Sequence, residues 1–483
     1  MAGRWISVTS ARNSWGWVAS FAVIYAVSTV WRAVVKPFWY DELFTYYLVR
    51  LGSLGRISEA NASGVDLNPP LLYLATMAGQ GLLGVGELGT RLPAIVGFAV
   101  MLFCVFLFVS HRLPAAFAGL AMALVALTGA YGYAYEARSY GMLLGFTGLA
   151  LLGWQRRSLP WMTLSIAGGL LTHCYGVLIL PPLALGQLVK DYSRKRIDWG
   201  VWISFAVSSL AVLTYLPILG SSRGYQLKGP IFDPTVWRLL ASYVDILAPA
   251  LWPVLATLGL AALLGKMAGG IGFEPYEMTA AIGLLCTPFA AFAMATAFKG
   301  GYFARYGLAA GIGSGILAAS IAHALAGARL RWAWMLPALA LAWFSVRFSI
   351  EWTAYRPAAL IPEMAARSEM PLVAADGQTF LQLDRYLDDK TARRLVFVTD
   401  RDSALRYMGT DCYDRTLQIA RPWFPLRGKL VSYQEFTREH RSYLVFGTRR
   451  EEHHWILAKL AVDGAKLERR WEGEGKSLVE VKW

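Results

Sequence analysis

The stretch FWYDELFTYY (38–47) places two adjacent carboxylates, Asp41 and Glu42, among six aromatic side chains. Directly upstream runs WGWVASFAVIYAVSTVWRAVV (15–35), about 20 mostly apolar residues, the length that spans a bilayer. No small-residue cleavage site follows, so this run is expected to stay as an anchor and not to leave as a signal peptide. The side of the membrane on which Asp41 and Glu42 emerge then governs what they can do.

The whole chain supports a membrane reading. Of its 483 residues 56% are hydrophobic and only 16% charged, against about 25% charged in ordinary soluble domains. Long apolar runs with short basic breaks fill residues 1–352. From 353 onward the composition becomes that of a mixed soluble protein. The net charge of +14 does not point to nucleic acid, because many basic residues sit in short loops between apolar runs. Cys104, Cys174, Cys286 and Cys412 form no CxxC pair and read as small buried apolar groups.

About 11 runs approach spanning length: 15–35, 91–110, 114–134, 140–154, 159–172, 174–189, 199–218, 248–265, 279–298, 306–326 and 332–350. The basic residues fall in a pattern. Arg4 and Arg12 precede the first run, and His111 with Arg112 follow the second. Arg156 and Arg157 follow the fourth. Lys190, Arg194, Lys195 and Arg196 follow the sixth, Lys266 the eighth, and Arg329 with Arg331 the tenth. Every cluster lies after an even number of crossings, so the positive-inside bias puts the N-terminus in the cytoplasm and the C-terminal part outside. The run LNPPLLYLATMAGQGLLG (67–84) is long enough to cross. Crossing would invert every later loop, so it is expected to lie along the outer surface, within one outer loop 36–88. Its paired prolines suit a helix entry.

On this topology the unusual polar residues share the outer face. Asp41 and Glu42 follow the first span, Glu136 and Arg138 lie in YEARSYG, His173 in LTHCYG, and Lys299, Arg305 and Tyr306 in KGGYFARYG. Ionisable groups at membrane depth are costly and mark function. Each has a plainer reading: a helix end at the water interface, a local ion pair, a satisfied buried histidine, or headgroup snorkelling. Taken together, a partly buried carboxylate can serve as general base, and guanidinium matches phosphate oxygens. A charged, lipid-linked substrate fits this set.

The segments WYDELFTYYLV, LNPPLLYLA, ELGTRLPAIVGF, YAYEARSYGMLLGF, LLTHCYGVLILP and FARYGLAAG, in that order over about residues 15–350, resemble the polytopic GT-C glycosyltransferases. That superfamily includes protein O-mannosyltransferases, aminoarabinose transferases and rhizobial galacturonosyltransferase-like proteins. The resemblance implies a polytopic α-helical membrane protein of GT-C fold. It also implies inverting transfer from a polyprenyl-phosphate sugar to a glycolipid, polysaccharide or protein acceptor on the outer face of the cytoplasmic membrane. It implies Asp41 as the base with Glu42 beside it, Arg138, His173, Arg305, Tyr306 and Lys299 near the donor or its phosphate, and Glu136 as a second acidic position. Asn68 stands where the family often has histidine. A divalent cation is left open, with Asp41 and Glu136 as the acids that would meet it. The competing class is a lipid or polysaccharide transporter, which favours charges on broken helices at mid-membrane and internal repeats. No repeat is visible, and the acids sit at helix ends.

In the tail, MPLVAA, RRLVFVTD and RSYLVFG read as strands, and LQLDRYLDD and HHWILAKLAV as amphipathic helices. A small extracytoplasmic α/β domain over 353–483 is expected, either covering a site or serving as a stabilising appendage. GEGKS (473–477) lacks the leading glycine and the following helix of a phosphate loop. His453 and His454 have no partner at zinc spacing. Asn61-Ala62-Ser63 is a sequon on the outer side.

Overall fold

The computed structural model describes residues 8–215, 232–265, 270–327, 332–356 and 359–483; the basic residues Arg4, Lys266, Arg329 and Arg331 lie outside them. The chain divides into two compact units. One comprises residues 8–36, 68–215 and 234–355, the other 37–67 and 356–483. The segment carrying Asp41 therefore packs with the C-terminal part.

The first unit is helical. Three of its described helices, Trp15–Val35, Glu87–Ser110 and Val236–Leu264, are long and apolar enough to cross a membrane, and up to five spans result if each bent pair counts as one. This is fewer than the apolar runs suggest, because several runs form shorter helices, among them Leu159–Thr172, Trp199–Tyr215 and Ala310–Ala326, and two others are bent. The run at 114–134 is a helix, Ala115–Leu127, turning by 75° into the 3₁₀ segment Gly129–Tyr135, and the run at 279–298 bends by 54° between Pro275–Leu285 and Thr287–Ala297. Pro288 stands in the first turn of the latter helix, where a missing N–H costs nothing. Such a break leaves the hydropathy unchanged. The segment at 67–84 forms the helix Pro70–Leu83. Its 14 residues reach about 21 Å at 1.5 Å per residue, short of a hydrocarbon core of about 30 Å.

Small residues let the helices of this unit meet backbone to backbone. A Cβ on Gly97 would lie 2.6 Å from the Gly141 oxygen, and one on Gly145 would lie 2.6 Å from the Gly97 oxygen. Glu87–Ser110 and Tyr140–Gln155 thus touch along a small-residue seam, the packing that association in lipid favours. Arg91, fully buried, donates from Nη1 to the carbonyls of Ala33 (2.7 Å) and Lys36 (2.6 Å). It thereby satisfies orphan carbonyls where the first helix ends. Arg32 on that helix donates from Nε to Glu351 (2.9 Å) on the last, Met335–Ala354. Of the cysteines Cys104 is buried in the protein, whereas Cys174 and Cys286 lie at its surface.

The second unit is built on a six-stranded sheet of order β3-β2-β1-β4-β6-β5, with β1 Leu372–Ala374, β2 Leu395–Thr399, β3 Lys429–Ser432, β4 Ser442–Thr448, β5 Lys466–Gly473 and β6 Lys476–Lys482. The first four strands in that order are parallel; β6 runs antiparallel to both β4 and β5. Val373, Val396, Val398 and Val445 fill one face with Phe436 and Trp455. Gly473 pairs with Lys476 around Glu474 and Gly475, whose φ values are 51° and 74°. GEGKS is therefore a two-residue hairpin turn with both central residues left-handed.

Residues 37–67 belong to this unit by side-chain contact. Phe44 and Tyr47, on the helix Tyr40–Val49, pack against Phe424 with ring centroids 5.1 and 4.9 Å away. Ser63 Oγ accepts from Trp423 Nε1 at 3.1 Å, and Asn61 is buried. The sequon is thus part of the packing and not an exposed acceptor.

Candidate functional site

Three turns of the helical unit carry the charged and aromatic residues. Arg138 lies just before the helix Tyr140–Gln155 and is mostly buried. Beside it, Ser139 Oγ donates to Asn68 Oδ1 at 3.4 Å, so Asn68 ties the entry of Pro70–Leu83 to this turn. His173 ends the helix Leu159–Thr172 in an extended conformation, and its Nδ1 accepts the N–H of Tyr175 at 3.1 Å. That bond caps the 3₁₀ segment Cys174–Ile179 and fixes Nδ1 as the ring nitrogen without a proton. The third turn, Ala304–Gly307, presents Arg305 and Tyr306.

Close approaches seat two of these turns. A Cβ on Gly176 would meet the Gly169 oxygen at 2.4 Å, and one on Gly307 would meet Pro288 Cα at 2.8 Å. Only glycine lets the turns lie so near their supporting helices.

The turns converge. Tyr306 stacks on Tyr175, His173 lies 6.0 Å from Tyr306 and 5.1 Å from Tyr140, and the Arg305 guanidinium rests 4.4 Å from the Phe303 ring centroid and 5.9 Å from that of Tyr140. Arg138 and Arg305 both lie near enough to His173 for their charge to act on it. Between the turns opens a narrow cleft of about 20 Å³ lined by Tyr140, Tyr175, Arg305 and Tyr306 together with Leu143, Leu144, Leu178, Ile179 and Leu308. A fixed cation, an aromatic wall and an apolar floor suit an anion that carries a hydrocarbon tail. The sequence reading did not single out Tyr140 and Tyr175; the signal was their place beside the charged residues in RSYG and HCYG.

Two expected members stand apart from this cleft. Lys299 is exposed, with φ 53°, at the end of the helix Thr287–Ala297 and is not among the cleft's lining residues. Its charge suits the carbonyl end of that helix. Glu136 accepts from Lys36 Nζ at 2.9 Å, so that lysine meets its charge. Among the described residues no group of three or more His, Cys, Asp or Glu comes together to hold a metal ion.

The second unit separates the two acids of the opening stretch. Glu42 is fully buried and accepts the N–H of Trp39 at 3.2 Å, closing the start of its own helix. Asp41, one residue earlier, is partly exposed in the first turn, where the helix dipole favours a carboxylate. Burial first, then Cys412 and after it the charges of Asp376 and Asp41, push the Tyr413 hydroxyl far above the usual phenol range, so that phenol near Asp41 stays protonated.

No protein-family model and no curated protein matches the chain. Solved structures do. ArnT from Cupriavidus metallidurans in the apo state aligns with a TM-score of 0.58 at 14% identity, covering 97% of this chain and 98% of that one. The same protein bound to undecaprenyl phosphate aligns with a TM-score of 0.54 at 15% identity, covering 96% and 97%. At such identity the likeness is one of fold alone.

Proposed function

We propose that this chain is a membrane glycosyltransferase that moves a sugar from a polyprenyl-phosphate donor to an acceptor hydroxyl or amine on the outer face of the cytoplasmic membrane. The observation that carries this reading is Arg305 at the head of a tyrosine-walled, apolar-floored cleft. The likeness of fold to a protein solved with undecaprenyl phosphate supports it. In this reading the phosphate meets Arg305, with Arg138 adding charge nearby, and the prenyl chain lies along the leucines.

Asp41 is the base. It takes a proton from the acceptor as the acceptor atom forms a bond to the anomeric carbon, and the bond from that carbon to the phosphate oxygen breaks. Polyprenyl phosphate leaves with the electron pair, and the sugar inverts. Cations held at the developing phosphate charge lower the barrier, and alignment of the two substrates supplies much of the rest. Glu42, buried as a helix cap, supports the position of Asp41. The N-terminus lies in the cytoplasm in this reading, and residues 356–483 lie outside.

The test uses the purified chain in nanodiscs, wild type beside Asp41→Asn, offered a panel of polyprenyl-phosphate sugars with a membrane lipid extract as acceptor. Release of polyprenyl phosphate, followed by mass spectrometry, is expected with one donor and is lost in Asp41→Asn. Equal release by both proteins would remove Asp41 from the chemistry. A transporter would move lipid between leaflets with no release at all.

A further inference from the structure

We infer that the C-terminal α/β unit positions Asp41, and that Gln382 and Tyr386 are the residues through which it does so. The inference rests on the reading of Asp41 as the base and adds what holds that base in place.

The helix Gly377–Tyr386 follows β1 directly. Asp376 caps it, accepting from the Thr379 N–H and from Thr379 Oγ1, each at 2.8 Å. Phe380, Leu381 and Leu383 anchor it, each with at most 1% exposure. The helix is therefore a rigid extension of the sheet. Gln382 and Tyr386 are four residues apart and so lie on one face, one above the other. Tyr386 Oη accepts the N–H of Phe38 at 2.7 Å, and Gln382 Nε2 donates to the Phe38 carbonyl at 2.9 Å. Two side chains on successive turns thus satisfy both main-chain polar groups of one residue, the service a neighbouring strand would give. The Phe38 ring is fully buried.

Asp41 stands three residues beyond Phe38, in the first turn of Tyr40–Val49. The flanking contacts act in the same direction. Tyr40 meets Tyr413 edge-on at 5.5 Å, and Arg385 on the positioning helix lies 5.1 Å from the Tyr46 ring centroid. Chain entry, helix start and helix flank are all held by residues 377–424, and none of these holding groups is itself an acid or base for the transfer. Gln382 and Tyr386 are positioning residues.

A base displaced by about 1 Å loses on the order of a hundredfold in rate, whereas donor affinity depends on other residues. Tyr386→Phe and Gln382→Ala should therefore lower kcat by roughly ten- to a hundredfold with donor KM unchanged. They should also speed amide hydrogen exchange across 38–47 while leaving exchange in β1 and β4 as in the wild type. Tyr433→Phe is the control. It removes a hydroxyl that bonds Asp463 at 2.8 Å in the same unit but touches nothing in 37–47, and it should leave kcat alone.

Unchanged kcat in Tyr386→Phe and Gln382→Ala, beside a dead Asp41→Asn, would overturn the positioning role and leave the base reading intact. A fall in kcat as large in Tyr433→Phe, or a rise in donor KM with kcat unaltered, would also overturn it. Full activity in Asp41→Asn would remove the base reading itself, and faster exchange across 38–47 would then report a structural clamp alone.

Discussion

Tyr306 lies face to face with Tyr175, ring centroids 3.8 Å apart and planes 12° from parallel. The contact joins two 3₁₀ turns about 130 residues apart in the chain, one closed by His173 and the other carrying Arg305. Each turn rests on its own glycine against a helix, and the stacked pair ties the two together. The cation at the head of the cleft is thereby held by packing.

Replacing Tyr306 by alanine should loosen both turns, whereas phenylalanine keeps the stack. Aromatic pairs contribute about 0.5–1.5 kcal/mol beyond their buried area, which corresponds to a rise in donor KM of roughly two- to thirteenfold for Tyr306→Ala. Steady-state release of polyprenyl phosphate at varied donor concentration measures it. An effect of equal size in Tyr306→Phe would assign the role to the hydroxyl instead of the ring.

How much of this was legible in the sequence depends on the kind of signal. Arg138, His173 and Arg305 stood out because charges are rare in apolar runs, and all three fall near one another. The short apolar runs in RRLVFVTD and RSYLVFG, rich in β-branched and aromatic residues, mark β2 and β4 correctly, and both strands are buried on both faces. What was hidden left no periodic trace. The bend at Cys286 interrupts no apolar run, and β5 reads KLERRWEG, too charged to announce a strand. GEG between β5 and β6 is a hairpin signal that the search for a phosphate loop passed over. The union of 37–67 with 356–483 depends on pairs such as Phe38 with Tyr386, more than 300 residues apart, which neither composition nor spacing can show.

Arg305 should be the most sensitive of the cleft residues. A hydrogen bond to a charged group contributes about 1.5–3 kcal/mol, so Arg305→Ala should lower kcat/KM for the donor by roughly ten- to a hundredfold. Arg305→Lys keeps the charge but not the planar fork and should recover only part of the loss. Kinetics of both variants against one donor decide the point; an unchanged kcat/KM in the alanine variant would place the phosphate elsewhere.

The Lys36–Glu136 pair, 2.9 Å apart with both side chains partly accessible, should act as a coupled unit. Exposed pairs are worth about 0.2–1 kcal/mol. Glu136→Gln and Lys36→Met should therefore have small effects on melting temperature and activity, and the double variant should cost less than the sum of the two. Loss of activity in Glu136→Gln alone would show that the carboxylate itself meets a substrate or a metal ion.

The sheet unit contains a test of pH dependence at Asp414. Its side chain is 3% exposed on the helix Cys412–Ala420, and Oδ1 accepts the Asp400 N–H at 2.9 Å. Burial outweighs that bond and pushes the carboxyl from 3.8 up to about 6. The folded chain therefore holds this proton more tightly than the unfolded chain does. Below about pH 4 both states are protonated and the group is neutral in its effect; between about pH 4 and 6 its contribution to stability falls as pH rises, and above 6 the buried charge exacts its full cost of up to about 3 kcal/mol. Asp414→Asn keeps an acceptor for Asp400 without the charge and gives up the acceptor for the Trp455 side chain, a loss that does not vary with pH. Its melting temperature relative to the wild type should be highest at pH 7.5 and should fall as pH is lowered towards 4. The difference between the two proteins is the quantity to follow, because other titrating groups cancel in it. A gap that stays constant with pH would mean that Asp414 ionises in the folded chain as readily as in the unfolded one.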